Sequence, residues 1–200
     1  MKGVHDFIIK SDFEFAKTFT TESGLELHAD VRFSADRLAN RIATVLETPL
    51  SLEECEIKSG YQVMVDPTIF YQQDYVIGGQ MENNFMVDRA NGIFKISPNM
   101  IVLYRENEQA EWKGFQESFL AEMDKEIIPE VKIGSLVIEQ EKTKVSEVFA
   151  KVLFSNADLE SEGVKNGDRI FITPNLGVAF WIEGKQYLWI QNRHVLAKMD

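Results

Sequence analysis

The sequence predicts an all-β protein built from two small barrels or sandwiches in tandem. Two observations predict it. Short apolar runs separated by Gly, Pro and Asn recur along all 200 residues, the pattern of compact all-β domains. A turn-plus-strand phrase also occurs twice. Residues 163–174 read Gly-Val-Lys-Asn-Gly-Asp-Arg-Ile-Phe-Ile-Thr-Pro, and Ile57 to Pro67 repeat the scheme 107 residues earlier, aligning Gly60 with Gly167 and Pro67 with Pro174. Lys58 then aligns with Lys165, Val65 with Ile172 and Ala43 with Ala150. Gly and Asn tolerate φ > 0, and Pro cannot donate to a ladder, so each copy is a turn opening a short strand. A repeat of that length is a duplicated domain.

In chain order, Phe7-Ile8-Ile9 is a strand. Thr18 to His28 is loop-like at its front, where Thr, Ser and Gly crowd together. Phe33 to Arg41 suits a helical turn with Ser34 as a cap. Ile42 to Leu46 reads as a strand ended by Pro49, and the Gly60 strand follows. Tyr71 to Asn91, with Gly78-Gly79 and Asn83-Asn84, is a hairpin or an elaborated loop. Gly92 to Ile96 and Met100 to Tyr104 are strands that close the first unit. The charged segment after Arg105 is the expected linker, giving units 1–105 and 115–200 joined by 106–114. In the second unit Phe119-Leu120-Ala121 mirrors the opening strand. A loop begins at Pro129, Val148 to Leu153 matches Ile42 to Leu46, and a hairpin turns at Gly184 between Trp181 and Trp189.

Bulk properties exclude several classes. A formal charge of −11 and a pI near 4.8 argue against a track for nucleic-acid phosphates, which needs clustered Lys and Arg. Hydrophobic residues make up 44% of the chain, so it is globular and not disordered. The lone Cys55 suits a reducing cytosol. Residues 1–10 hold no apolar run of signal-peptide length, and no stretch is long enough to span a bilayer, so a cytoplasmic protein free of membrane is expected. His5, His28 and His194 are scattered without metal-ligand spacing, and no phosphate-loop motif is present. Nothing points to catalysis, a cofactor or a metal. Asp168 beside Gly167 reads as a turn stabiliser, and Trp181 with Trp189 as a cross-strand aromatic cluster.

The second unit resembles the GroES-type cochaperonins. The resemblance rests on order and spacing: an opening apolar strand, Gly134-Ser135-Leu136-Val137-Ile138, a polar run, Phe149-Ala150-Lys151-Val152, then Gly163-Val-Lys-Asn-Gly167-Asp168-Arg-Ile170, a hairpin and His194-Val195-Leu196-Ala197. It covers roughly residues 115–198. Residues 4–104 resemble the family more weakly. Glu22-Ser23-Gly24-Leu25-Glu26-Leu27 looks like a cochaperonin mobile loop, phage-encoded forms included, while Tyr61 stands where the second unit has Asp168. The tandem arrangement is similar to the double cochaperonins of chloroplasts. The resemblance implies two GroES-like small β-barrels. It also implies a homo-oligomeric ring that caps a GroEL-type chaperonin without chemistry of its own.

The partner-binding residues would then be Gly24, Leu25, Glu26 and Leu27 in one loop and Gly134, Leu136, Val137 and Ile138 in the other. A loop that orders on binding can lay alternate side chains into an apolar groove. Ordering costs entropy, so each contact is weak and a ring of loops supplies avidity. Glu26 departs from the all-aliphatic trio usual in that family. The competing reading makes both aliphatic sets ordinary strand residues of a core. A structural or adaptor oligomer that keeps the double barrel without the lid role is the alternative function. An enzyme of the medium-chain alcohol dehydrogenase type lacks its Rossmann motif and zinc ligands here.

Overall fold

The computed structural model describes residues 2–11, 16–20, 23–30, 42–52, 54–66, 68–71, 75–77, 80–127, 143–182 and 185–199. These residues are predominantly β, with two antiparallel sheets of seven and six strands, two isolated strand pairs and two short helices. The expected helical turn at residues 33–41 and the turn at Gly184 lie outside the described residues.

The first sheet is assembled from β1 (Phe7–Lys10), β4 (Ile42–Glu47), β5 (Gln62–Val65), β8 (Met86–Asp88), β9 (Ile93–Ile96), β10 (Ile101–Arg105) and β11 (Lys113–Gly114). Their spatial order is β11-β10-β5-β4-β1-β9-β8. Between β1 and β4 lie β2 (Ala16–Thr20) and β3 (Glu26–Asp30), which pair only with each other. Between β5 and β8 lie the helix Thr68–Tyr71 and a second isolated pair, β6 (Tyr75–Ile77) with β7 (Gln80–Glu82). Between Tyr71 and Asn91 the described residues therefore hold the paired strands β6 and β7, then the sheet strand β8.

The second sheet contains β12 (Ser118–Ile127), β13 (Thr143–Phe154), β14 (Arg169–Ile172), β15 (Val178–Ile182), β16 (Lys185–Gln191) and β17 (Val195–Met199), in the order β15-β16-β12-β13-β14-β17. Reversed, this is the order of the first sheet with β11 removed. The match extends to register. Ile42↔Met64, Ala43↔Val63 and Thr44↔Gln62 become Phe149↔Phe171, Ala150↔Ile170 and Lys151↔Arg169, 107 residues later on both strands. Ile8↔Glu47 and Ile9↔Val45, with a bulge between them, become Leu120↔Phe154 and Ala121↔Val152 with the same bulge. Leu103↔Met64 and Tyr104↔Val63 become Ala197↔Phe171 and Lys198↔Ile170. The opening strand is thus offset by 112 residues and the closing strand by 94.

The repeated phrase is the pivot of each copy. Gly60 and Gly167 adopt φ of 90° and 92°, a region that penalises any Cβ. The Val45 N–H donates to the Tyr61 carbonyl and the Gly60 N–H to the Val45 carbonyl, at 2.9 and 2.8 Å; Val152, Asp168 and Gly167 repeat both bonds at the same lengths. After the strand, the Asp66 and Thr173 N–H groups donate to the carbonyls of Met100 and His194, both at 2.9 Å, in the 3-10 turns that precede β10 and β17. These backbone bonds are common to both copies, while the side chains around them differ.

Alternation along each strand builds two cores. Phe7, Ile9, Val63, Val65, Phe94 and Ile96 point into the first, which also takes Ile69 and Phe70 from the short helix. Phe119, Ala121, Ala150, Val152, Ile170 and Ile190 fill the second. Each fully buried Phe or Ile contributes on the order of 1.5–3 kcal/mol. The opposite face of the same strands is apolar where the halves meet: Met64, Val102 and Leu103 of the first sheet pack with Leu120 and Phe180 of the second.

The segment expected as a linker ends inside the fold. Lys113 and Gly114 pair with Tyr104 and Leu103 as β11. Phe115 belongs to the first core, edge-on to Phe7 and Tyr104 at ring distances of 6.0 and 6.1 Å. Gly114 is required here by close approach: a Cβ would strike the Ser118 carbonyl and Asn156. Its N–H donates to the Ser155 carbonyl at 2.7 Å, tying β11 to the second half.

Candidate functional site

The β2–β3 pair forms an arm. Five registered pairs run from Ala16↔Asp30 to Thr20↔Glu26, and neither strand joins the seven-stranded sheet. A two-stranded ribbon is marginally stable alone, so its outer end is the part most easily remodelled. Gly24, in the turn, has φ of 81° and open space where a Cβ would be, so the backbone and not crowding selects glycine. Leu25 is 59% exposed, one of the most exposed large apolar residues described. Glu26 and Leu27 lie in the ladder, opposite Thr20 and Phe19. The loop-like reading of the front of Thr18 to His28 is corrected in part: Thr18, Phe19 and Thr20 pair in β2 with His28, Leu27 and Glu26, while Ser23, Gly24 and Leu25 lie between the strands.

Gly134, Leu136, Val137 and Ile138 lie outside the described residues. The elements flanking them are described. Lys125↔Val145, Glu126↔Lys144 and Ile127↔Thr143 continue the β12–β13 ladder beyond the registers where β14 and β16 join the sheet. Val145 on this extension is 53% exposed. Residues 128–142 join β12 to β13, as the arm-bearing segment joins β1 to β4. Both aliphatic sets therefore belong to the same connection of the two copies, and a two-stranded ribbon occurs in that connection each time.

Ion pairs brace the base of the second ribbon. Arg169 Nε lies 2.5 Å from Asp124 Oδ2, and its guanidinium sits 4.6 Å above the Phe149 ring. Lys185 Nζ lies 3.1 Å from Glu122, and this pairing, with Tyr187 beside it, raises the Lys185 pKa above its ordinary value. Such half-exposed pairs orient strands more than they stabilise them.

Asp168 closes the repeated turn. Its Oδ2 accepts from the Lys165 N–H at 2.8 Å and from Lys198 Nζ at 2.6 Å. The Lys198 bond first, then the Lys165 bond, holds its pKa below the ordinary carboxylate value. The first copy wires the same place differently: Tyr104, the register equivalent of Lys198, donates its hydroxyl to Glu56 at 2.7 Å. A depressed folded pKa means that the contribution of Asp168 is complete above the unfolded value near pH 4 and vanishes as pH falls. We expect Asp168→Asn to flatten the fall in thermal midpoint between about pH 5 and 2 relative to the parent. An unchanged slope would show that the Lys198 pair carries no linkage.

The cross-strand aromatic contact at the last hairpin is corrected as well. Trp189 faces Val178 in register and meets Phe180 edge-on at 6.4 Å, while Trp181 faces Gln186. Tryptophans either side of one turn align only if the turn length sets them opposite, which the sequence does not display. Trp189 Nε1 donates to Ser118 Oγ at 3.1 Å. The Cys55 thiol is half-buried and burial raises its pKa, which disfavours the reactive thiolate.

Among the described residues no group of three His, Cys, Asp or Glu side chains could hold a metal. Among them, too, no helix is long and apolar enough to cross a membrane. The fold thus defines a class by geometry: two register-equivalent antiparallel sheets joined end to end, each carrying a ribbon in the same connection. In comparisons with known proteins, no family model and no curated protein matches the chain.

Proposed function

We propose that this protein is a cochaperonin-like lid: two GroES-like barrels per chain, residues 1–105 and 115–200, assembled as a homo-oligomeric ring that caps a GroEL-type chaperonin in the cytoplasm and assists folding. The observation that carries the reading is the shared position of the two aliphatic segments, Gly24 to Leu27 and Gly134 to Ile138. Each belongs to the ribbon-bearing connection of its copy. Two such segments per chain, repeated around a ring, suit weak multivalent capture and release. The chain supplies contacts and a cover; nucleotide chemistry belongs to the chaperonin.

The test is co-sedimentation with a GroEL-type ring in ADP or ATP, together with client refolding. A complex that needs nucleotide is expected. Leu25→Asp should weaken it by at least about tenfold through the loss of one anchor per chain, with an unchanged far-UV spectrum because Leu25 is exposed. No complex under any nucleotide condition, with refolding unaffected, would sink the reading. The arm favours a second reading, a structural or adaptor oligomer, because Leu27 is already paired in a strand. That alternative keeps the assembly and loses the chaperonin complex.

A further inference from the structure

Asn-Gly occurs twice in the chain, at Asn91-Gly92 and Asn166-Gly167. Both asparagines are exposed, and both glycines hold positive φ, 63° and 92°. In this dipeptide the backbone nitrogen can attack the preceding side chain, because glycine puts no Cβ in the way. Exposure does not separate the two sites; hydrogen bonding does. The Gly167 N–H donates to the Val152 carbonyl at 2.8 Å, and Asn166 Oδ1 accepts from the Ser155 N–H at 2.7 Å. Nucleophile and electrophile are both tied to β13 or the residue that follows it. At the other site the Gly92 N–H reaches the Arg89 carbonyl only at 3.4 Å, outside the usual range for an N–H donor. The Asn91 carboxamide bonds within its own turn, Nδ2 donating to Asp88 Oδ2 at 2.7 Å. No bulkier neighbour can replace Gly92 to slow the attack, since a Cβ there would strike the Ser11 carbonyl.

We propose that Asn91 is a site of spontaneous covalent modification, converting through a succinimide to aspartate and isoaspartate, while the fold protects Asn166. The Gly92 amide nitrogen loses its proton and bonds to Asn91 Cγ. The Cγ–Nδ2 bond breaks, and Nδ2 leaves as ammonia. Water then opens the five-membered imide at either carbonyl. One opening restores the backbone with an aspartate side chain; the other routes the backbone through the side-chain carbon. No electrons are transferred, and water is the only co-reactant. The product alters the turn between β8 and β9. The Asn91 side chain first, then its N–H, holds the Asp88 pKa below the ordinary carboxylate value. A second carboxylate in place of that donor repels Asp88, so the turn that fixes the edge strand β8 loosens. Neither a partner nor an assembly is needed for this chemistry.

The experiment incubates the full chain for days in mildly alkaline buffer, folded and in concentrated guanidinium, and follows both sites by peptide mass and isoaspartate content. In the folded chain Asn91 is expected to convert at least about tenfold faster than Asn166, and in guanidinium the two rates should converge. Equal rates in the folded chain overturn the proposal, as does a faster Asn166. So does an Asn91 that stays intact in the folded chain while the unfolded chain converts. Asn91→Asp supplies one product directly. Its thermal midpoint should lie below the parent's at neutral pH, where both carboxylates are charged, and the gap should close in acid as they protonate. A midpoint equal to the parent's at neutral pH overturns the loosening of the turn.

Discussion

Phe180→Ala is expected to lower stability by about 3–5 kcal/mol, the range for truncating a buried phenylalanine into a cavity. Phe180 is fully buried, and its neighbours come from both sheets: Met64, Val102 and Leu103 on one side, Leu120 on its own. Trp189 lies edge-on to it and is held by the Ser118 hydroxyl, so the wall beside the void is fixed and collapse into it is restricted. The loss has a second signature. This cluster is where the two cores are coupled, so the variant should unfold in two denaturant transitions where the parent shows one, the second half retaining Phe119, Val152 and Ile170. A loss under about 1 kcal/mol with a single transition would mean that the halves are coupled elsewhere.

Asn156→Ala is expected to cost about 2–4 kcal/mol. Asn156 is 2% exposed and does three jobs. Its Oδ1 caps the helix Ala157–Ser161 by accepting from the Leu159 N–H at 2.9 Å. Its Nδ2 donates to the Ser118 carbonyl at 3.2 Å and to Asn192 Oδ1 at 2.8 Å. Loss of a cap accounts for about 1 kcal/mol, and the buried acceptors left without a donor account for about 1–3 more. Asn156→Ser restores a cap but cannot reach Asn192, so it should recover only the smaller share. Chemical denaturation of the three proteins separates the two contributions. Full recovery by Ser would assign the whole effect to the helix.

The parts of this fold legible in the sequence are those with local causes. Gly60 and Gly167 announce left-handed turns, Pro174 follows the end of β14, and the 107-residue echo follows because turns of fixed geometry tolerate few residue types. Strand order was not legible, because pairing joins residues such as Ile9 and Val45 or Phe119 and Ile190 across long intervening segments. The β11 strand was hidden for the same reason. Lys113 and Gly114 have no strand propensity and pair only because Phe115 anchors them in the first core. At the candidate site, Gly24 and Leu25 stand out by composition and occupy a turn. Leu27 has the same local appearance and lies in a ladder, since Phe19 faces it from eight residues away.

The three offsets between the copies divide the molecule into a chassis and its attachments. The β1, β4, β5, β9 and β10 ladder positions keep their registers in the second copy, and the largest differences in length fall in two connections. Lys10 to Ile42 spans five residues more than Glu122 to Phe149, and Val65 to Ile101 spans thirteen more than Ile172 to Val195. Those are the connections that carry the β2–β3 arm and the β6–β7 pair. Lengthening a surface connection costs little, roughly 0.6 kcal/mol per doubling, whereas one residue inserted in a ladder would turn its side chains to the wrong face. New partner preferences can therefore accumulate at two ports per copy while the frame that presents them stays constant.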